Sequence, residues 1–82
     1  MNYPKIETAK TINDHTLLIG FDNKQKKIYD ITPLLKKDMF IPLSNPALFK
    51  AFKVEQGGFA VVWTDSIDIS EFELWSNGKT IA

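Results

Sequence analysis

The sequence contains no cysteine, which removes disulfides, thiolate nucleophiles and every cysteine-based zinc or iron–sulfur site together. It contains no arginine either, since all ten basic residues are lysine, so the guanidinium fork that most often reads guanine is missing. The single histidine, His15, stands in a polar turn, Asn13-Asp14-His15, and one such residue is a thin basis for nucleophile activation or metal ligation. No apolar run approaches the roughly 18 residues of a membrane-spanning helix. The opening Met1-Asn2-Tyr3-Pro4-Lys5 has no signal-peptide character, and the expected location is the cytoplasm. Gly57-Gly58 is not a phosphate loop, because it lacks the following lysine–serine pair and opens a strand. Ser44, Ser66, Ser70 and Ser76 each have a turn or cap setting, none of them a nucleophile elbow. This inventory leads us to expect neither an enzyme nor a cofactor.

What is present is enough to build one core. The 82 residues are 44% hydrophobic, with six Phe, two Tyr and two Trp, and a chain of this size is read as a single domain over residues 1–82. Formal net charge is zero, but the charges are unevenly placed. Residues 1–53 hold nine lysines against five acids, a balance of +4, and residues 54–82 hold Lys79 against five acids, a balance of −4.

Turn signals divide the chain into short elements. A first strand is expected over Ile6 to Ile12, and a second over Thr16 to Phe21 with Leu17, Ile19 and Phe21 on one face. Asp22-Asn23-Lys24 has hairpin chemistry, and Lys26 to Ile31 completes a three-stranded meander. Thr32-Pro33 predicts a short 3₁₀ or α turn capped by Thr32, with Leu34 and Leu35 against the sheet. Asn45-Pro46 predicts a two-turn helix using Leu48, Phe49 and Phe52. Gly57-Gly58 joins Lys53–Gln56 to Phe59–Trp63, with Phe59, Val61 and Trp63 sharing a face. Ile67-Asp68-Ile69 is a brief extended segment, and Ser70 with Glu73 forms a capping box for a last helix that Gly78 stops. The expected fold is α+β: about five mostly antiparallel strands, ordered β-β-β-α-β-β-α, with short helices on one face.

Candidate functional residues are few. Asp65 and Asp68 are close enough to hold a hard cation or share a proton if both point into a cleft, although turn and cap roles are the preferred account of them. Asp30 ends a strand where it is expected to accept bonds from the Thr32 turn. The lysines at 24, 26, 27, 36, 37, 50 and 53 suggest a phosphate-tracking stretch, but Asp30 and Asp38 interrupt it. Tryptophan anchors interfaces out of proportion to its frequency. Trp75 and Trp63 are therefore candidate partner contacts beside Asp68 and Asp30, with core packing the alternative for both.

Several of these residues recur in a pattern: Phe21-Asp22-Asn23, Tyr29-Asp30-Ile31, Pro33-Leu34-Leu35, Phe40, Leu43, Pro46, Leu48-Phe49, Gly58, Trp63, Ile67-Asp68-Ile69 and Glu73-Leu74. Over nearly its whole length the chain resembles the bacterial family catalogued as domain of unknown function 2442. The resemblance implies an α+β domain without enzyme activity, sometimes fused to a DNA-binding helix-turn-helix and often encoded beside another small domain in a toxin–antitoxin-like arrangement. Two residues depart from the pattern: Lys24 stands where glycine is common, and Trp75 where tyrosine is. With Ala82 as the last residue no helix-turn-helix is expected, so the DNA-binding role of the fused members is not carried over. The preferred reading is a non-catalytic protein-interaction module, the antitoxin-like half of a two-gene pair, whose partner is a small protein encoded nearby. Lysine-mediated nucleic-acid binding and small-ligand binding stand as alternatives, and self-association stays open.

Overall fold

The computed structural model describes residues 3–81. Met1 and Asn2, where the segment read for a signal peptide begins, lie outside the described residues, as does Ala82. Strands β1 (Ile6–Asn13), β2 (Thr16–Phe21) and β3 (Lys26–Asp30) form the expected antiparallel meander. Leu17, Ile19 and Phe21 alternate onto one face of β2 and are almost wholly buried, as befits a strand with neighbours on both sides. The β2–β3 turn passes through Lys24 at φ 72°, left-handed backbone that disfavours a residue carrying a Cβ. The Asn23 carboxamide steadies this turn by accepting from the Gln25 N–H at 3.0 Å.

After β3 the backbone tightens. Asp30 Oδ1 accepts the Thr32 N–H at 2.8 Å, and a 3₁₀ helix runs from Thr32 to Lys36 with Pro33 in its first turn. Thr32 is thus a member of the helix rather than its cap; the capping position falls on Ile31, and Asp30 supplies the side-chain acceptor. A second 3₁₀ helix, Asp38–Ser44, was not foreseen. Its buried residues Phe40 and Leu43 are three apart, the spacing that stacks side chains in this helix type, whereas Met39 and Ile41 are half exposed. Helix α1 (Pro46–Phe49) is one turn instead of two. Asn45 caps it as expected, accepting the Ala47 N–H at 2.9 Å. The next carbonyl bond, Ala51 N–H to Leu48 at 2.9 Å, spans only three residues and tightens the chain into a new strand.

The second sheet contains β4 (Lys53–Val54), β5 (Ala60–Thr64) and β6 (Ile67–Ser70), in the order β4-β5-β6. Val61 and Trp63 are buried, whereas Phe59, just before β5, is half exposed. Helix α2 (Glu71–Asn77) follows, and β7 (Lys79–Ile81) returns to pair antiparallel with β3, giving the first sheet the order β1-β2-β3-β7. The described residues therefore form seven strands in two sheets, not about five. The extra strands are the Ile67 segment, expected only as a brief extended stretch, and the three residues after Gly78, whose pattern shows no alternation. The α+β class stands.

Gly58 joins the two sheets. Its carbonyl accepts the Ile6 N–H at 2.9 Å, its φ is 77°, and a Cβ placed there would lie 2.4 Å from the Ile6 carbonyl oxygen. One core lies between the sheets, with Leu17, Ile19 and Phe21 from the first, Ile31 from the cap that follows β3, Val61, Trp63, Ile67 and Ile69 from the second, and Phe40, Leu43, Phe49 and Leu74 from the helices. No helix among the described residues is long and apolar enough to cross a membrane.

Candidate functional site

β3 turns Tyr29 inward, where it is 7% exposed. A buried phenol needs a hydrogen-bond partner, and α2 provides one. Ser70 Oγ accepts the Glu73 N–H at 3.2 Å, the first half of a capping box. The reciprocal half is absent, because the Glu73 carboxylate accepts the Tyr29 hydroxyl at 2.7 Å instead. Burial first, then this bond and the adjacent negative charge, push the Tyr29 pKa well above that of a free phenol. The hydroxyl thus donates to Glu73 and holds its proton more firmly than a free phenol.

The surface is concave on both sides of this bond. One lobe, of about 300 Å³, is walled by Leu34, Lys37, Phe40, Asp68, Ile69 and Ser70. The other, of about 510 Å³, is walled by Ile28, Asp30, Pro33, Leu34, Asn77 and Lys79. Tyr29, Leu34 and Glu73 line both lobes, which therefore form one groove running between β3 with the 3₁₀ segment on one side and β6 with α2 on the other. Its walls mix apolar residues with charged and polar ones in about equal number, the carboxylates of Asp30, Asp68 and Glu73 outnumbering the ammonium groups of Lys37 and Lys79.

Two of the four candidate contacts meet here: Asp68 lines the first lobe and Asp30 the second. The Thr32 hydroxyl and N–H hold the Asp30 carboxyl below its usual pKa, with His15 adding to the effect. His15 Nδ1 lies 3.2 Å from Asp30 Oδ1, and both side chains are about half exposed.

The two tryptophans lie elsewhere. Trp63 is 8% exposed in the core, where its Nε1–H donates to the Phe49 carbonyl at 2.8 Å and its ring stacks on Phe49 at a centroid separation of 6.0 Å. Trp75 is half-buried and meets Phe21 edge-on at 5.2 Å. The Lys27 ammonium sits 4.0 Å from the centre of the Trp75 ring and donates to the Trp75 carbonyl. Lys27 is itself 9% exposed, so its charge is held by a π-face and by the carbonyl end of α2, a helix with no basic residue in its last turn.

Asp65 lies exposed in the β5–β6 turn and does not join Asp68 in the groove lining. Among the described residues no group of three or more His, Asp or Glu side chains is placed to hold a metal ion. The lysine stretch is divided as well: Lys27 is buried, Lys24 lies 3.5 Å from Glu7, and Lys50 lies 3.4 Å from Asp14.

Sequence reading missed Tyr29 and Glu73 as a pair. The available signal was an inward position on β3 occupied by a residue with a polar tip. Nothing local, however, joins partners 44 residues apart.

The family model that matches the chain is described as protein of unknown function (DUF2442), and the match covers residues 6–80. No curated protein and no solved structure matches.

Proposed function

The chain belongs to the DUF2442 family of proteins of unknown function, and from that premise we propose that it is a non-catalytic protein-interaction module whose contact surface is the groove around the Tyr29–Glu73 bond. The observation that carries this reading is the convergence of Asp30 and Asp68, one in each lobe, on a cleft with apolar walls at Pro33, Leu34 and Phe40. Carboxylates above an apolar floor suit a protein segment that presents lysine or arginine among apolar side chains. With Glu73 they outnumber the two lysines that line the lobes, Lys37 and Lys79, which disfavours a phosphate backbone, and the burial of Lys27 removes one basic residue from any nucleic-acid track. The Tyr29 hydroxyl is tied to Glu73 and kept protonated, which makes it a positioning donor and not a catalytic base. The partner in this reading is a small protein encoded nearby, neutralised by this chain in an antitoxin-like pair.

The test is co-expression of the tagged chain with its neighbouring gene, followed by identification and titration of the retained protein. The wild type is expected to hold a specific small protein, and the Asp30→Asn/Asp68→Asn double variant to bind it about tenfold or more weakly, since each charge facing a partner contributes on the order of 1 kcal/mol. Equal affinity in both would remove the groove from the contact. Absence of any specific partner would remove the interaction role itself.

A further inference from the structure

Among the described residues β6 has one strand neighbour, β5. Its other edge faces the groove. Asp68, Ile69 and Ser70 are consecutive, and all three line the first lobe. Side chains on a strand alternate between faces, so three residues in a row form one wall only through the edge of the strand.

The ladder identifies the backbone groups on that edge. The Glu71 N–H donates to the Phe59 carbonyl at 2.9 Å, continuing the register in which Ser70 faces Ala60, Ile69 faces Val61 and Asp68 faces Val62. Hydrogen-bonded and non-bonded pairs alternate along an antiparallel ladder. Ile69 therefore exchanges bonds with Val61, while Asp68 turns its N–H and C=O, and Ser70 its N–H, away from β5 and toward the groove. Beside these groups stand the carboxylates of Asp68 and Glu73, with Lys37 the one cation lining the same lobe.

We propose that an extended segment of the partner protein adds as a strand to the open edge of β6 and sets a lysine or arginine side chain in the lobe shared by Asp68 and Glu73. Main-chain bonds then supply attachment, and charge complementarity selects the segment. This deepens the interaction-module reading and rests on it.

The probe is a fluorescein-labelled peptide of alternating threonine and valine with a central lysine, titrated into the full chain. Two controls accompany it, one with glutamate in place of lysine and one N-methylated at alternate amides so that it cannot pair as a strand. Binding is expected to protect the Asp68 and Ser70 amide protons from exchange, and both controls should bind at least tenfold more weakly. Asp68→Asn should weaken binding several-fold and flatten its salt dependence. Asp68→Pro removes an outward N–H without touching the β5 ladder, a position where an edge strand tolerates proline, and should abolish binding with the thermal midpoint retained. Should that variant fail to fold, the N-methylated peptide makes the same test from the ligand side. Equal binding by Asp68→Pro and Asp68→Asn, equal binding of the methylated peptide, or no binding at millimolar peptide would overturn the proposal. So would protection of Asp68 and Ser70 that rises with protein concentration alone, which assigns the edge to a second copy. If Asp68→Pro still retains the co-expressed partner, the edge is wrong and the interaction reading survives; if no partner exists for the wild type, it is that reading that fails.

Discussion

The edges of the two sheets make an instructive pair. β1 is eight residues long and forms one border of the first sheet, so by length alone it is the better template for another strand. Yet its register breaks between Ile6 and Thr8 and again between Thr11 and Asn13, Lys10 stands exposed between the breaks, and Gly58 occupies the Ile6 N–H. Bulges, an edge lysine and a covering loop are the means by which proteins discourage edge pairing. β6 has half the length, a single register break confined to its Ile67 end of the ladder with β5, and no lysine along it, and it borders a cleft. An available edge is defined by what is left unguarded, not by how much strand there is.

The contrast breaks most sharply at Gly58. Gly58→Ala puts a Cβ on left-handed backbone and within 2.4 Å of the Ile6 carbonyl oxygen. Strain of this kind costs on the order of 2–3 kcal/mol. Urea denaturation should show that loss, and amide exchange at Ile6 should accelerate more than exchange in β2. A loss below about 0.5 kcal/mol, within the range of ordinary surface changes, would mean that the two sheets do not depend on this contact and that β1 is guarded by its bulges alone.

A smaller effect is expected at the bond that divides the groove. Tyr29→Phe leaves a partly buried Glu73 oxygen without its donor and should cost about 1–2 kcal/mol at neutral pH. The pH dependence separates this bond from simple packing. Because the folded-state pKa of Tyr29 is raised, its contribution is complete below the unfolded value near 10 and is lost as pH climbs from there toward the folded value, since the native state then binds the proton that the unfolded state has released. Wild type should therefore lose stability from about pH 10 upward more steeply than Tyr29→Phe does. Parallel alkaline profiles, measured by denaturant midpoints at successive pH values, would show that the phenol is not held as described.

What was legible in the sequence follows the same division. The first sheet was readable through β3, because Leu17, Ile19 and Phe21 alternate and Asp22-Asn23 marks the turn, all within a few residues. Gly57-Gly58, Asn45 and Ser70 were readable for the same reason: caps and tight turns are chemistry between near neighbours. β7 was not readable, since Lys79–Ile81 is a strand only by virtue of β3 beside it. The second 3₁₀ helix was hidden as well, its Phe40 and Leu43 fitting several periods. The groove was hidden most completely. Asp30 and Asp68 were singled out separately, for turn chemistry and for proximity to Asp65, but the bond that places them on one cleft joins β3 to α2 across 44 residues of chain.

The finest distinction between the sheets lies in their turns. The β4–β5 turn places glycine at both of its left-handed positions, Gly57 and Gly58, whereas the β2–β3 turn places Lys24 at φ 72°. Lys24→Gly removes a backbone penalty of about 1–2 kcal/mol. Against that, glycine adds roughly 0.5–1 kcal/mol of unfolded-chain entropy. The substitution also deletes the Lys24–Glu7 contact, an exposed pair at 3.5 Å of a kind that contributes little. The balance favours the variant by about 0.5 kcal/mol, a rise of a few degrees in thermal midpoint for a domain of this size. Lys24→Ala keeps the Cβ while losing the charge, so it isolates the backbone effect and should show no gain. If alanine and glycine stabilised equally, the relief would be electrostatic, and the left-handed turn would be as comfortable for lysine in the first sheet as it is for glycine in the second.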